Sequence, residues 1–249
     1  MKKIAGFIFL LVTVSSSFAQ KHIERQYNSW WMYFGNHKIN EKYSLHTEYQ
    51  FRRSDFAKNW QQSLTRIGID YHFNKENTIT VGYGWIISYP YGIQPINTHV
   101  TEHRIWQQFT NQSNFGRIYL HHRYRLEQRF IEKAILDTDG NRVVDGFNFR
   151  QRARYRLYIS IPINNKQMED NTLFISLYDE VFLGFGSGIG KNILDQNRLY
   201  SALGWRFSKQ INVQVGYLNQ FVVKSDGFRM ERNHTLQAAV TYNLDFSKP

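Results

Sequence analysis

Three stretches of this chain alternate strictly between apolar and polar side chains for ten residues or more. Tyr43, Leu45, Thr47, Tyr49 and Phe51 alternate with Ser44, His46, Glu48, Gln50 and Arg52. Ile79, Val81, Tyr83, Trp85, Ile87 and Tyr89 alternate with Thr78, Thr80, Gly82, Gly84, Ile86 and Ser88. Leu236, Ala238, Val240, Tyr242, Leu244 and Phe246 alternate with Thr235, Gln237, Ala239, Thr241, Asn243 and Asp245. A period of two marks an extended strand with unlike faces. Strands of soluble domains usually run about five or six residues, whereas a strand that crosses a bilayer needs about 9–11. The length of the alternation therefore points to a membrane-spanning barrel.

Read the same way, the rest of the chain yields strands near 30–39, 43–53, 60–73, 78–89, 100–110, 115–130, 147–162, 172–183, 196–207, 211–222 and 232–246. Strands 100–110 and 172–183 alternate poorly, which leaves their facing open. No segment has a helical period, and no linker divides the chain. Short polar turns (40–42, 74–77, 111–114, 208–210) alternate with longer connections (54–59, 90–99, 131–146, 184–195, 223–231), as periplasmic turns and external loops do in outer-membrane barrels. The stretch 163–171 is the long exception in the short set. Single-chain barrels usually have an even strand number. Residues 20–28 supply one further passage, because Ile23, Arg25 and Tyr27 alternate with His22, Glu24 and Gln26. The expected fold is all-β: one antiparallel, up-and-down transmembrane β-barrel of about twelve strands, within a range of about ten to twelve. The runner-up is a soluble exported barrel that holds a ligand.

The N-terminus reads as an address. Lys2 and Lys3 precede an apolar stretch from Ile4 to Val14, and Ser17 and Ala19 form a small-residue cleavage site. A secretory signal peptide over 1–19 and a barrel domain over 20–249 are the expected divisions, with the outer membrane of a Gram-negative bacterium as the destination. The chain has no Cys, which excludes disulfide scaffolds, thiol nucleophiles and a lipoprotein anchor. From residue 20 onward 29 basic residues face 20 acidic ones. That surplus suits nucleic acid, but export argues against such a partner. Beyond the leader no apolar run reaches 18 residues, which excludes a helical bundle in the membrane.

The basic residues are sorted. Thirteen of the 18 Arg fall inside proposed strands short of the end residues, whereas every Lys after the leader falls in a turn, loop, terminus or strand end. Arg150, Arg152, Arg154 and Arg156 share one face of their strand. Arg117, His121, Arg123, Arg125, Glu127 and Arg129 share one face of another. Arg52, Arg66, Arg104, Arg198 and Arg206 lie in further strands. A planar guanidinium pairs bidentately and keeps its charge in a crowded space. The expected lining of the lumen is Arg52, Arg66, Arg117, His121, Arg123, Arg125, Arg150, Arg152, Arg154, Arg156, Arg198 and Arg206. The counter-charges are Glu48, Asp70, Glu102, Glu127 and Glu180. So few acids leave an electropositive interior, suited to small anionic solutes.

The order of several short motifs resembles an uncharacterised bacterial family of exported β-barrel-like proteins, catalogued as a domain of unknown function. They are Trp30–Trp31, the Tyr43-to-Arg52 strand, Glu102-His103-Arg104, the Arg123-to-Phe130 run, Arg152-to-Ile161, Glu180-Val181-Phe182, and Asn197-Arg198-Leu199 followed by Gly204. The resemblance implies an outer-membrane barrel and brings no substrate or catalytic residue.

Sites of other kinds fall short. The Gly184-to-Lys191 segment lacks the first Gly and the Ser/Thr of a phosphate loop. Asp137, Asp139, Asn141 and Asp145 form only part of a calcium loop, without its Gly and Glu. His121 and His122 are adjacent, so they face opposite sides of a strand. No Ser–His motif of an outer-membrane hydrolase occurs. No catalytic residue, metal or cofactor is expected. The expected partners are outer-membrane lipid, small anions and the barrel-assembly machinery, to which the terminal Tyr242, Leu244 and Phe246 point. The functional expectation is a narrow anion-preferring pore or small-ligand barrel. The alternatives are a closed, salt-bridged structural barrel and a lipid-modifying enzyme.

Overall fold

The computed structural model describes residues 22–92 and 96–247. The leader expected over 1–19 lies outside them. Eleven strands form a closed barrel: β1 (His22–Lys38), β2 (Tyr43–Ser54), β3 (Asn59–His72), β4 (Asn77–Ser88), β5 (Val100–Phe115), β6 (Ile118–Leu136), β7 (Arg142–Pro162), β8 (Thr172–Phe185), β9 (Leu194–Arg206), β10 (Ile211–Val223) and β11 (Arg229–Tyr242). Strands adjacent in sequence pair antiparallel throughout, which is the up-and-down topology. Each of the eleven strands read from the alternation is present.

The count is eleven because residues 22–28 are not a separate passage. They run without a break into Trp30, paired in register with β11 from His22↔Arg229 to Phe34↔Thr241. Asn28 and Ser29, where a turn would be needed, are buried in the wall. An odd count forces the first and last strands to run in the same direction, so β1 closes on β11 as a parallel pair. The start of β1 lies at the end of the barrel that carries the longer connections 89–99 and 186–193. The end of β11 lies at the opposite, short-turn end.

The connection expected at 131–146 is mostly strand. β6 and β7 continue past their neighbours as a hairpin, with Ala134↔Val144 and Leu136↔Arg142 paired and a bulge beside Lys133. Its turn is 137–141. There the Asp137 carboxylate accepts the backbone N–H groups of Asp139 and Asn141, at 2.9 and 2.8 Å, and Gly140 takes a positive φ of 81°. The partial calcium pattern is therefore an Asx-type turn.

The barrel is apolar outside and polar inside. Ile67, Val81, Trp85, Leu126, Leu203, Val215 and Leu236 stand exposed on the outer face. The buried set is dominated by Arg, Glu, Gln, Asn, Ser and Thr. One compact apolar cluster lies within: Trp30, Tyr178, Tyr200, Ala202 and Leu218, with Met32 and Tyr158 packed against it. Trp30 points inward at 2% exposure, whereas Trp31 points out. In the short-turn half the interior is filled by rings over glycines. Trp106 lies on Gly68 and Gly82, and Phe174 lies on Gly204.

A Cβ on Gly82 would overlap the Trp106 ring and stand 2.5 Å from the Ile67 carbonyl oxygen. On Gly84 it would meet the flexible Arg66 and Ile86 side chains at 3.3 and 3.4 Å and the Thr65 carbonyl oxygen at an ordinary 3.6 Å. Gly82→Ala should therefore cost about 1–3 kcal/mol by overpacking, and Gly84→Ala less than about 1. Urea midpoints of the refolded barrel check this, and equal midpoints would contradict the ring-on-glycine packing.

Candidate functional site: the charged barrel interior

β6 and β7 bring together the two richest Arg runs. Their register sets Arg123 opposite Arg156, Arg125 opposite Arg154 and Arg129 opposite Arg150, with only Glu127 opposite Arg152. Like charges directly across a ladder repel, so three of these four rows need carboxylates from elsewhere. Glu127 is the centre of the arrangement. Its side chain has no solvent exposure. Its Oε2 accepts Arg152 Nε and Nη2 at 2.9 and 2.6 Å. Its Oε1 accepts Arg154 Nη1 at 2.6 Å and Arg104 Nη1 at 3.3 Å. Arg66 and Arg125 stand 4.0 Å away.

Other strands complete the network. Glu180 on β8 accepts Arg154 Nε at 3.0 Å and Arg123 Nη2 at 2.6 Å. Glu102 on β5 receives a two-pronged pair from Arg129, both contacts at 2.8 Å, and Arg104 Nε at 2.7 Å. Glu48 on β2 holds Arg66 and lies 3.5 Å from His46 Nε2. Asp195, at the top of β9, takes Arg152 Nη1 at 2.8 Å. Glu231, fully buried on β11, is reached by Lys224 from the adjoining connection.

These groups surround a cavity of about 280 Å³. Its walls include Arg52, Arg66, Arg104, Arg123, Arg125, Arg129, Arg152, Arg154, Arg156, Arg198 and Lys224, against Glu48, Glu180 and Glu231. Tyr89, Tyr91, Ile96 and Lys224 line it from connections at the long-loop end, and no residue of a short turn does. Arg52, Arg156 and Arg198 have no carboxylate within 4.0 Å among the described residues. Arg52 is bonded to the amide oxygens of Gln50 and Gln62, and Arg198 to that of Gln196.

Of the expected lining, Arg52, Arg66, Arg123, Arg125, Arg152, Arg154, Arg156 and Arg198 meet at this cavity, with the counter-charges Glu48 and Glu180 on its wall and Glu127 and Glu102 bonded behind it. Four residues stand elsewhere. Arg117 is exposed in the β5–β6 turn and donates to the carbonyls of Pro162, Ile163 and Asn165. β6 begins one residue beyond it, so Arg117 has no place on the inward face. Arg150 lines a separate cleft of about 20 Å³ beneath the 186–193 connection. His121 faces inward off the cavity, its Nε2 buried without a partner among the described residues. Arg206 ends β9 at the short-turn end. Asp70 is buried but serves no Arg, since it accepts Thr80 Oγ1 at 2.5 Å and the Asn36 amide.

The alternation did not single out Trp30, which carries Arg52 at 3.8 Å and Arg198 at 5.0 Å from its ring centroid. Two adjacent tryptophans on opposite faces were the available signal. A Ser44 Oγ–His72 Nε2 contact of 2.6 Å, continued from His72 Nδ1 to Thr78 at 2.9 Å, has the outline of a nucleophile and base. Ser44 is 2% exposed, and a neutral Thr stands where an orienting carboxylate would be needed.

Fold and interior together define a closed all-β barrel with an apolar outside and buried Arg–Glu ion pairs. The chain belongs to the family described as Protein of unknown function (DUF2490), which matches residues 27–231. No curated protein and no solved structure matches the chain.

Glu127→Gln removes the buried carboxylate charge that joins Arg104, Arg152 and Arg154. Breaking a buried pair on one side costs about 3–5 kcal/mol, and a loss of that size in urea unfolding is expected. An unchanged midpoint would mean that the Arg side chains find other partners and that Glu127 is not their tie.

Proposed function

We propose that the protein is an outer-membrane β-barrel that admits small anions into its interior from the long-loop end. The carrying observation is the surplus of guanidinium groups around a single cavity. A potential of one sign, confined by low-dielectric walls, concentrates counter-ions. The apolar outer face and the long alternating strands support placement in a bilayer. On this reading residues 1–19 direct export. The terminal segment serves assembly, with Leu244 and Phe246 bonded through their backbones to Lys38 of β1.

Binding is favoured over conduction. The connections that line the cavity all belong to the long-loop end, its strand lining stops at Phe34, Tyr158, Gln214 and Ala239 short of the turns at the other end, and Trp106 and Phe174 pack on glycines in that half. The dense ion pairs favour a second reading, a purely structural interior. Arg52, Arg156 and Arg198 separate the two, since a barrel built only for stability gains little from burying guanidinium groups that no carboxylate contacts directly.

Two experiments test the proposal. Expressed with its leader, the protein should fractionate with outer membranes and stay soluble only in detergent. A soluble detergent-free monomer would overturn the membrane assignment. In neutral detergent, the part of the tryptophan emission lost in Trp30→Phe should be quenched several-fold more strongly by iodide than by caesium at matched ionic strength. Caesium quenching equal to iodide would exclude an electropositive interior.

A further inference from the structure

The cavity has unlike walls. Trp30, Met32, Tyr158, Tyr178 and Tyr200 belong to the interior apolar cluster and also line the cavity, and guanidinium groups of β2, β3, β5, β6 and β7 line much of the rest. The three cations without carboxylates stand at the junction between the two. Arg52 and Arg198 both lie over the Trp30 ring. Arg156 lies 5.6 Å from the centroids of both Tyr158 and Tyr178. Two guanidinium groups drawn to one indole repel each other, and each gains only a modest cation–π attraction in return.

Unused hydrogen-bonding groups are found at the same place. Arg198 and Arg156 each have a buried Nε without a partner among the described residues, and the buried Tyr200 hydroxyl, beside Gln237, makes no well-aligned hydrogen bond among them. Arg198 is nine-tenths buried and Tyr200 almost wholly so. The two are separated by one residue on β9, so they share its inward face. Beside them Tyr178 and Tyr200 stack at 4.7 Å with planes 29° apart. Unpaired buried donors are costly, and here they converge on the edge of an aromatic wall.

We infer that this junction is a binding site for a small aromatic carboxylate. The carboxylate sits between Arg52 and Arg198, within reach of the Tyr200 hydroxyl, and the ring lies against the Trp30–Tyr178–Tyr200 wall. A bare inorganic anion satisfies the donors but makes no contact with the rings that line the cavity beside them. A neutral aromatic covers the wall but leaves the charges uncompensated. The cavity of about 280 Å³ has the volume of roughly nine waters, enough for a single-ring acid. This inference rests on the anion-admitting reading above and narrows it to one ligand class.

The test is calorimetric titration of the full chain in neutral detergent with benzoate, acetate, inorganic phosphate and benzyl alcohol. Benzoate should bind at least tenfold more tightly than acetate, phosphate or benzyl alcohol. Arg198→Gln and Arg52→Gln should each weaken benzoate at least tenfold, with urea midpoints confirming that both variants fold. The exposed Arg117→Gln should bind like the parent. Equal affinity for benzoate, acetate and phosphate would overturn the aromatic site while leaving the anion-admitting interior intact. Benzyl alcohol matching benzoate would overturn it as a carboxylate site. Absence of binding by all three anions, with caesium quenching equal to iodide, would overturn both.

Discussion

The carboxylate of Glu127 sits where two arginine-bearing strands would otherwise repel each other. With Arg123/Arg156, Arg125/Arg154 and Arg129/Arg150 in direct register, the β6–β7 ladder sets like charges across it, which alone destabilises a strand pair. The ladder is nonetheless the longest in the barrel. Glu127 bridges Arg152, Arg154 and Arg104, Glu180 bridges Arg154 and Arg123, and Glu102 bridges Arg129 and Arg104. These acids come from β5, β6 and β8, so the repulsion is relieved only when those strands lie alongside. The charge pattern therefore ties closure of this side of the barrel to correct register. A one-residue slip would turn every Arg on a strand outward at once.

Arginine suits this task better than lysine. One guanidinium spans two carboxylates, as Arg154 does between Glu127 and Glu180 and Arg152 between Glu127 and Asp195. A planar cation also stacks on rings, as Arg125 does on Trp106 and Arg154 on Phe182. An ammonium offers one point charge and no face. The single Lys in this wall, Lys224, comes from a connection, and its ammonium makes one ion pair among the described residues, with Glu231.

Much of this was legible in the chain because strand parity is a local property. Arg152, Arg154 and Arg156 had to share a face whatever their neighbours were, and Glu127 had to join Arg123 and Arg125. Three features were not legible. In β8, Phe174, Tyr178 and Phe182 point inward while Leu173, Ile175 and Leu177 point out, so hydropathy alternates with nothing and only the ladder sets the facing. Asp70 and Glu48 share a face, yet only Glu48 reaches an Arg, because the partner depends on what stands across a barrel interior that the sequence does not describe. The β6–β7 hairpin was hidden by Asp and Gly residues that read as a loop, while Val143 and Val144 extend the ladder.

The strand count shows where a sound rule met a stronger constraint. Even numbers place both termini at one end of a barrel, and the alternation of residues 22–28 fitted an extra strand. The same residues serve better as the upper half of β1, because thirteen positions from His22 to Phe34 find partners along β11. Parallel pairing is slightly weaker per residue than antiparallel, so a parallel closing seam needs reinforcement at its end. The segment after β11 supplies it. The Lys38 N–H donates to the Leu244 carbonyl, and the Phe246 N–H donates to the Lys38 carbonyl. Asn243 Oδ1 accepts the Asn36 N–H at 2.9 Å, and His37 Nδ1 accepts the Leu244 N–H at 3.1 Å. A ring nitrogen that accepts must be unprotonated, so its Nε2 carries the hydrogen toward Thr47 and Tyr33, at 2.9 and 3.1 Å. The seam is thus locked by a neutral histidine that joins the last residues of the chain to its first two strands.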